Sequence, residues 1–122
     1  YCCGIDIVGP ANLQTMMACF PPYWQPMQGV LNDVVGADPS TPEGKAILQQ
    51  HSPLTFANCI KKPLMIGHGM NDPRIHPSES DQMVAALEAN EVPVTYVVFT
   101  NEGHQLSHVE NRMAFYGLVE QF

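Results

Sequence analysis

Basic residues are scarce in this sequence. Five Lys and Arg stand against twelve Asp and Glu, a formal charge of −7, and the only adjacent basic pair is Lys61–Lys62. Phosphate binding needs clustered Lys and Arg, so no nucleic-acid partner is expected. Long apolar runs are also missing. None approaches the eighteen or so residues a membrane helix requires, so no membrane partner is expected. No C-x-x-C occurs among the four cysteines, which removes zinc knuckles and thioredoxin-like redox motifs. Cys2 and Cys3 are adjacent and cannot form an unstrained bridge to each other. Cys19 and Cys59 stand alone in apolar surroundings. Free, buried thiols are the expectation, which favours a reducing, cytoplasmic setting. No G-x-S-x-G appears anywhere. There is no initiator Met or leader, and Phe122 falls within a helical pattern, so both ends read as cut.

What is present is a chain of 122 residues, 45% hydrophobic, with apolar residues recurring along its length. That suits one domain, residues 1–122, with a core of ordinary size. The run Ile5 to Val8, closed by Gly9-Pro10, reads as a buried strand. A short helix follows over Asn12 to Cys19 and stops at Pro21-Pro22. Residues 21–40, rich in Pro, Gly and aromatics, read as a long irregular excursion. Thr41-Pro42-Glu43 opens a helix reaching about Gln50, with Thr at the cap and Pro in the first turn.

After Lys62-Pro63, Leu64 to Gly67 forms a second strand. Ser80 to Ala89 makes a helix with Met83, Val84 and Leu87 at helical spacing. Val94 to Phe99 is a third strand, almost wholly apolar or β-branched. Ser107-His108-Val109-Glu110 has the form of a capping box. It opens a last helix whose Val109, Met113, Tyr116 and Val119 make one stripe. Strand and helix alternate three times, which predicts an α/β protein with a parallel sheet.

Two turns carry chemistry. Asp72 follows the second strand in "GMNDPR", and His104 follows the third in "TNEGH". Ligands of open parallel sheets gather outside the carboxyl ends of the strands. Neighbouring strands lie about 4.8 Å apart, so the two turns share one rim. A carboxylate there would hold an imidazole in one tautomer and stabilise its protonated form during base catalysis. Gly69 and Gly103 would give the turns backbone freedom. The competing reading is that Asp72 makes an ordinary Asn-Asp-Pro turn and His104 is a solvated loop residue.

Around these turns the sequence resembles the C-terminal end of the prolyl oligopeptidase family of serine peptidases, in particular its acylaminoacyl-peptidase and dipeptidyl-peptidase-like members. The stretches that carry the resemblance are "GIDIVGPANLQT", "PPYW", "SPLTFANCIKKPLMIGHGMNDPRIHPSESDQMVAAL", "VPVTYVVFTNEGH" and "ENRMAFY". They occur in the family's order and cover nearly the whole chain. The resemblance implies an α/β-hydrolase fold of which this chain forms the last three strands. It places Asp72 on the triad aspartate and His104 on the triad histidine, in the order expected of α/β-hydrolases.

The sequence departs from the family in one major respect. Ser40, Ser52, Ser78, Ser80 and Ser107 are its only serines, and none lies in a nucleophile elbow. The family's serine, oxyanion hole and propeller would lie upstream of this chain. Gln105 stands where relatives often carry Gly after the histidine, which makes that loop less permissive.

The resemblance thus implies a peptidase acting on peptide substrates with its acid and base here and its serine in the upstream remainder. An esterase of the same fold, or a non-catalytic remnant that binds or assembles, are the rival readings. No cofactor is expected. A metal site from His68, His76, His104 and His108 is not expected either, because His104 precedes the helix that His108 adjoins. His68 would border the site's rim or satisfy a strand-end carbonyl. Tyr23 and Trp24 would line a substrate pocket or cover the edge of a core. Arg74 would bind a substrate carboxylate or pair with a nearby acid. The first strand, if its outer edge is open, would favour self-association.

Overall fold

The computed structural model describes all 122 residues, Tyr1–Phe122. Three parallel strands, β1 (Gly4–Ile7), β2 (Leu64–Gly69) and β3 (Val94–Phe99), form one sheet in the order β1-β2-β3. Gly4 pairs with Leu64 in one ladder and Gly69 with Phe99 in the other. The central strand is covered on both faces, and Met65 through Gly69 are all buried. That is why "LMIGHG" is continuous rather than alternating in character. β1 pairs on one side only, and Ile5 and Ile7 remain exposed.

The helices are α1 (Leu13–Ala18), α2 (Gln28–Val35), α3 (Pro42–His51), α4 (Ser78–Ala89) and α5 (Val109–Gln121), with 3-10 helices at Pro22–Met27 and Pro53–Cys59. Local chemistry sets several ends. The Asn12 side chain accepts from the Gln14 N–H at 3.1 Å to start α1. The Thr41 hydroxyl accepts from the Gly44 N–H at 3.0 Å, with Pro42 in the first turn of α3. Gly36 closes α2 at φ 80°, a left-handed conformation that glycine adopts at little cost.

The sheet divides two packing layers. On one face Ile66 meets Met83 and Leu87 of α4, with Ala11, Ala57 and Val92. On the other, Phe115 of α5 sits directly over Gly67, where a Cβ would overlap its ring edge at 2.6 Å. Phe115 also meets Phe99 edge-on, with centroids 6.2 Å apart. A second cluster, Met16, Met17, Ala37 and Leu48, joins α1, α2 and α3 beside the sheet and takes in Ile75 from the turn after β2.

Four expectations need correction. The excursion over residues 21–40 contains the 3-10 helix and α2. Val30, Leu31, Val34 and Val35 recur at helical spacing there, and the prolines lie outside α2, three at or before the 3-10 segment and Pro39 beyond the helix, where they break no α-helical ladder. The cysteines are free, but Cys2, Cys19 and Cys59 are exposed and Cys3 is half-buried, because they lie at element ends rather than within the core. Along α5, Val109, Met113 and Tyr116 are exposed and Phe115 is the buried residue. Ser107 does not cap α5 with its side chain. His108 occupies the cap position, and a carboxylate from outside the helix takes over the task.

Candidate active site

The turns after β2 and β3 are zipped together beyond the sheet. The Met70 N–H donates to the Phe99 carbonyl at 2.9 Å and the Asn71 N–H to the Glu102 carbonyl at 2.9 Å. The Asn71 side chain adds a bond to the Thr100 carbonyl, also 2.9 Å. Neither Gly69 nor Gly103 has a positive φ, so backbone freedom is not what these positions require. Gly69 is there for close approach: a Cβ would run into the backbone of Glu102 and the Gly103 carbonyl. A Cβ on Gly103 would meet only the Asn71 carbonyl, at 3.6 Å.

This zipping brings Asp72 to His104. The Asp72 side chain is wholly buried and that of His104 is 28% exposed. Asp72 Oδ1 accepts from the N–H groups of Arg74 at 2.8 Å and Ile75 at 3.0 Å, which fixes the carboxylate over its own turn. Oδ2 is thereby left facing the other loop, and His104 Nδ1 lies 2.8 Å from it. A carboxylate accepts, so Nδ1 carries the proton and Nε2 holds the lone pair, the arrangement required of a general base. Nε2 has no hydrogen bond within the chain.

His104 lines a cleft of about 410 Å³ with Asn71, Arg74, Gln105 and Ser107. Arg74 is exposed and makes no ion pair, so the expected pairing with an acid is not formed. Ser107 Oγ donates to the Gln105 carbonyl at 3.4 Å. Tyr23 and Trp24 do not line this cleft. Trp24 packs edge-on against Phe20, with centroids 5.0 Å apart, and Phe20 covers the second core cluster. Tyr23 is largely exposed beside Trp24. His76 bonds Ser78 locally, and His108 Nδ1 lies 3.1 Å from Glu102, so neither histidine joins His104.

Three buried groups escaped the sequence reading or entered it with the wrong partner. Glu102, 1% exposed, accepts from the N–H groups of Ser107 and His108 at 2.9 Å each and from the Asn111 side chain at 2.8 Å. It therefore ties the His104 loop to the start of α5 and supplies the cap that Ser107 does not. Burial alone would raise its carboxyl. The donors from Asn111, Ser107 and His108 outweigh that and hold it at about 2. Glu79 accepts from the Ala11 and Asn12 N–H groups and from Thr15, locking the loop after β1 to α4. His68 is wholly buried beneath Asp72 and meets the Ile75 carbonyl rather than a strand-end one. The position of Glu102 just before Gly103-His104 was the one available signal; for the others nothing local marks the partner.

The sequence profile of the prolyl oligopeptidase family matches residues 4–122. Over all 122 residues the chain is 50% identical to dipeptidyl aminopeptidase BIII of Pseudoxanthomonas mexicana, of which it covers 18%. It is 48% identical to dipeptidyl peptidase family member 6 of Caenorhabditis elegans, of which it covers 16%. The chain thus spans less than a fifth of the length of these relatives. Among solved structures, acylaminoacyl peptidase of Pyrococcus horikoshii superposes on the whole chain with a TM-score of 0.82 at 25% identity, over 20% of its own length. The three-stranded unit accordingly has the architecture of an α/β-hydrolase.

Proposed function

From the premise that this chain belongs to the prolyl oligopeptidase family of serine peptidases, we propose that it supplies the acid and base of the catalytic device. The observation that carries this reading is the 2.8 Å contact between His104 Nδ1 and the buried Asp72 carboxylate. His104 Nε2 takes the proton of a serine hydroxyl as that oxygen attacks a peptide carbonyl, then returns it to the leaving amine. Water resolves the acyl-enzyme through the same nitrogen. Asp72 keeps His104 in the Nδ1–H tautomer and stabilises the imidazolium. This chemistry needs no cofactor.

The serine comes from a segment outside these residues. Of the five serines only Ser107 lines the cleft, and its hydroxyl is turned to a backbone carbonyl. The open side of β1 is where such a segment would extend the sheet. The substrate is a peptide, and the names of the sequence relatives favour release of N-terminal dipeptides. Tyr23, through its exposed ring, and Trp24 are proposed as substrate contacts beyond the cleft. Four free thiols support a cytoplasmic setting. One observation favours a second reading, a non-catalytic remnant: no serine hydroxyl meets His104 within the chain.

The test is hydrolysis of a dipeptidyl p-nitroanilide by the full-length protein that contains these residues. His104→Ala should abolish turnover, and Asp72→Asn should lower kcat by about 10⁴. The 122-residue chain alone should hydrolyse neither the anilide nor a p-nitrophenyl ester. Unchanged kcat in a folded His104→Ala protein sinks the proposal.

A further inference from the structure

His68 has no part in the chemistry just described, yet its ring touches the Asp72 turn at two points. Nε2 lies 2.9 Å from the Ile75 carbonyl. A carbonyl only accepts, so Nε2 carries a proton. On the ring's other side, Nδ1 lies 2.6 Å from the hydroxyl of Ser80, which is 1% exposed and fixed on α4. In the neutral ring Ser80 donates to Nδ1, and the tautomer is settled from both sides.

The same Nε2–H lies 3.4 Å from Asp72 Oδ2, the oxygen that accepts from His104. Asp72 therefore sits among four N–H groups. Those of Arg74 and Ile75 hold Oδ1, while His104 and His68 flank Oδ2. Pinning the Ile75 carbonyl and facing Oδ2 at once, His68 spans the turn from its carboxylate to its far end.

A buried histidine on a strand is most often a core residue with satisfied nitrogens, and His68 is satisfied. What goes beyond that is the placement of one N–H, which bonds the turn's backbone at Ile75 while its nitrogen stays 3.4 Å from the oxygen that orients His104. We infer that His68 is a positioning residue for the Asp72–His104 pair, setting the carboxylate rotation that presents Oδ2 to His104. Asp6 of β1, whose carboxyl is pushed up by burial and drawn down by His68 and the Gly9 N–H, is the other acid facing the ring. Glu79, next to Ser80, has its oxygens occupied by Ala11, Asn12 and Thr15. Of these acids Asp72 alone brings a carboxylate oxygen within 4 Å of a ring nitrogen of His68. The role rests on the reading of the pair as acid and base; the geometry stands without it.

The test is nuclear magnetic resonance of the full-length protein that contains these residues, ¹⁵N-labelled at histidine, following the His104 Nδ1 proton and the ring's ¹⁵N shifts. His68→Leu removes the donor at similar volume, and His68→Gln keeps an N–H near the place of Nε2. In His68→Leu with an otherwise native amide spectrum, the Nδ1 proton should move upfield. It should also exchange with water about fivefold to tenfold faster, the scale of one loosened hydrogen bond. His68→Gln should restore most of both changes. An unchanged His104 signal in folded His68→Leu overturns the proposal, since a merely structural histidine would not report there.

If His68→Leu does not fold, Ser80→Ala carries the same comparison, because it frees the ring to turn without removing it. Faster exchange in that variant supports the role and unaltered exchange overturns it. Failure of the peptidase reading would appear elsewhere, as turnover insensitive to His104→Ala, and would leave this signal as it is.

Discussion

Gly69, the last residue of β2, lies directly against the carbonyl oxygen of Gly103. That contact is what lets the Asp72 loop and the His104 loop close on each other, because any side chain at position 69 would fill the space between them. Gly69→Ala should therefore force the loops apart. We expect a stability loss of about 2 kcal/mol, the scale of overpacking in a close-packed site, together with loss of the hydrogen-bonded Nδ1 proton of His104. Gly103→Ala, whose Cβ meets ordinary contact distance, should change neither by more than about 0.5 kcal/mol. Urea titration and the proton spectrum of both variants check the contrast; equal losses would show that space at Gly69 is not the constraint.

Glu102 makes stability sensitive to acid. Its carboxyl stands at about 2 in the fold against an ordinary 4.5, so folding favours the ionised form. The stabilisation is fully present above about pH 4.5 and drains away as pH falls towards 2. Glu102→Gln leaves the Ser107 and His108 N–H groups with a weaker acceptor and removes the titration. The variant should be less stable at pH 7 and should lose stability less steeply between pH 4.5 and 2. Parallel pH profiles of the urea midpoint for the two proteins would contradict the assignment.

The two sides of α5 should respond differently to truncation. Phe115 fills the space over Gly67 and is fully buried, so Phe115→Ala should cost about 3–5 kcal/mol. Met113 is 71% exposed, and Met113→Ala should stay within about 0.5 kcal/mol. Thermal or chemical unfolding of the two variants decides which face of the helix holds it to the sheet.

The outer edge of β1 is unpaired and carries exposed Ile5 and Ile7. Such an edge is a template for pairing with another strand. The isolated chain is expected to form edge-paired oligomers or aggregates, and Ile5→Lys with Ile7→Lys should shift it towards monomer. A monodisperse monomer of the unaltered chain in light scattering would rule this out.

Much of the local structure was legible in the residues. The β-branched and apolar runs at 64–67 and 94–99, the Thr41-Pro42 start and the turns at Asp72 and His104 all depend on neighbours within a few positions. The excursion at 21–40 hides α2 because its prolines and glycines read as breakers, although Val30, Leu31, Val34 and Val35 recur at helical spacing. The stripe on α5 has helical spacing, but periodicity does not say which side meets the sheet. Phe115 marks that side, because its ring fills the space left by Gly67.

By itself the sequence determined an alternating α/β chain with a parallel sheet and placed an acid and a base in consecutive turns, since both follow from short-range pattern. The tertiary structure alone decided that His68 lies under Asp72, that Glu102 rather than Ser107 caps α5, and that Glu79 binds the loop after β1. These are buried polar groups whose partners lie in other elements. A buried polar group must be satisfied, but the identity of its partner is set by sheet register and helix placement, which no local pattern encodes.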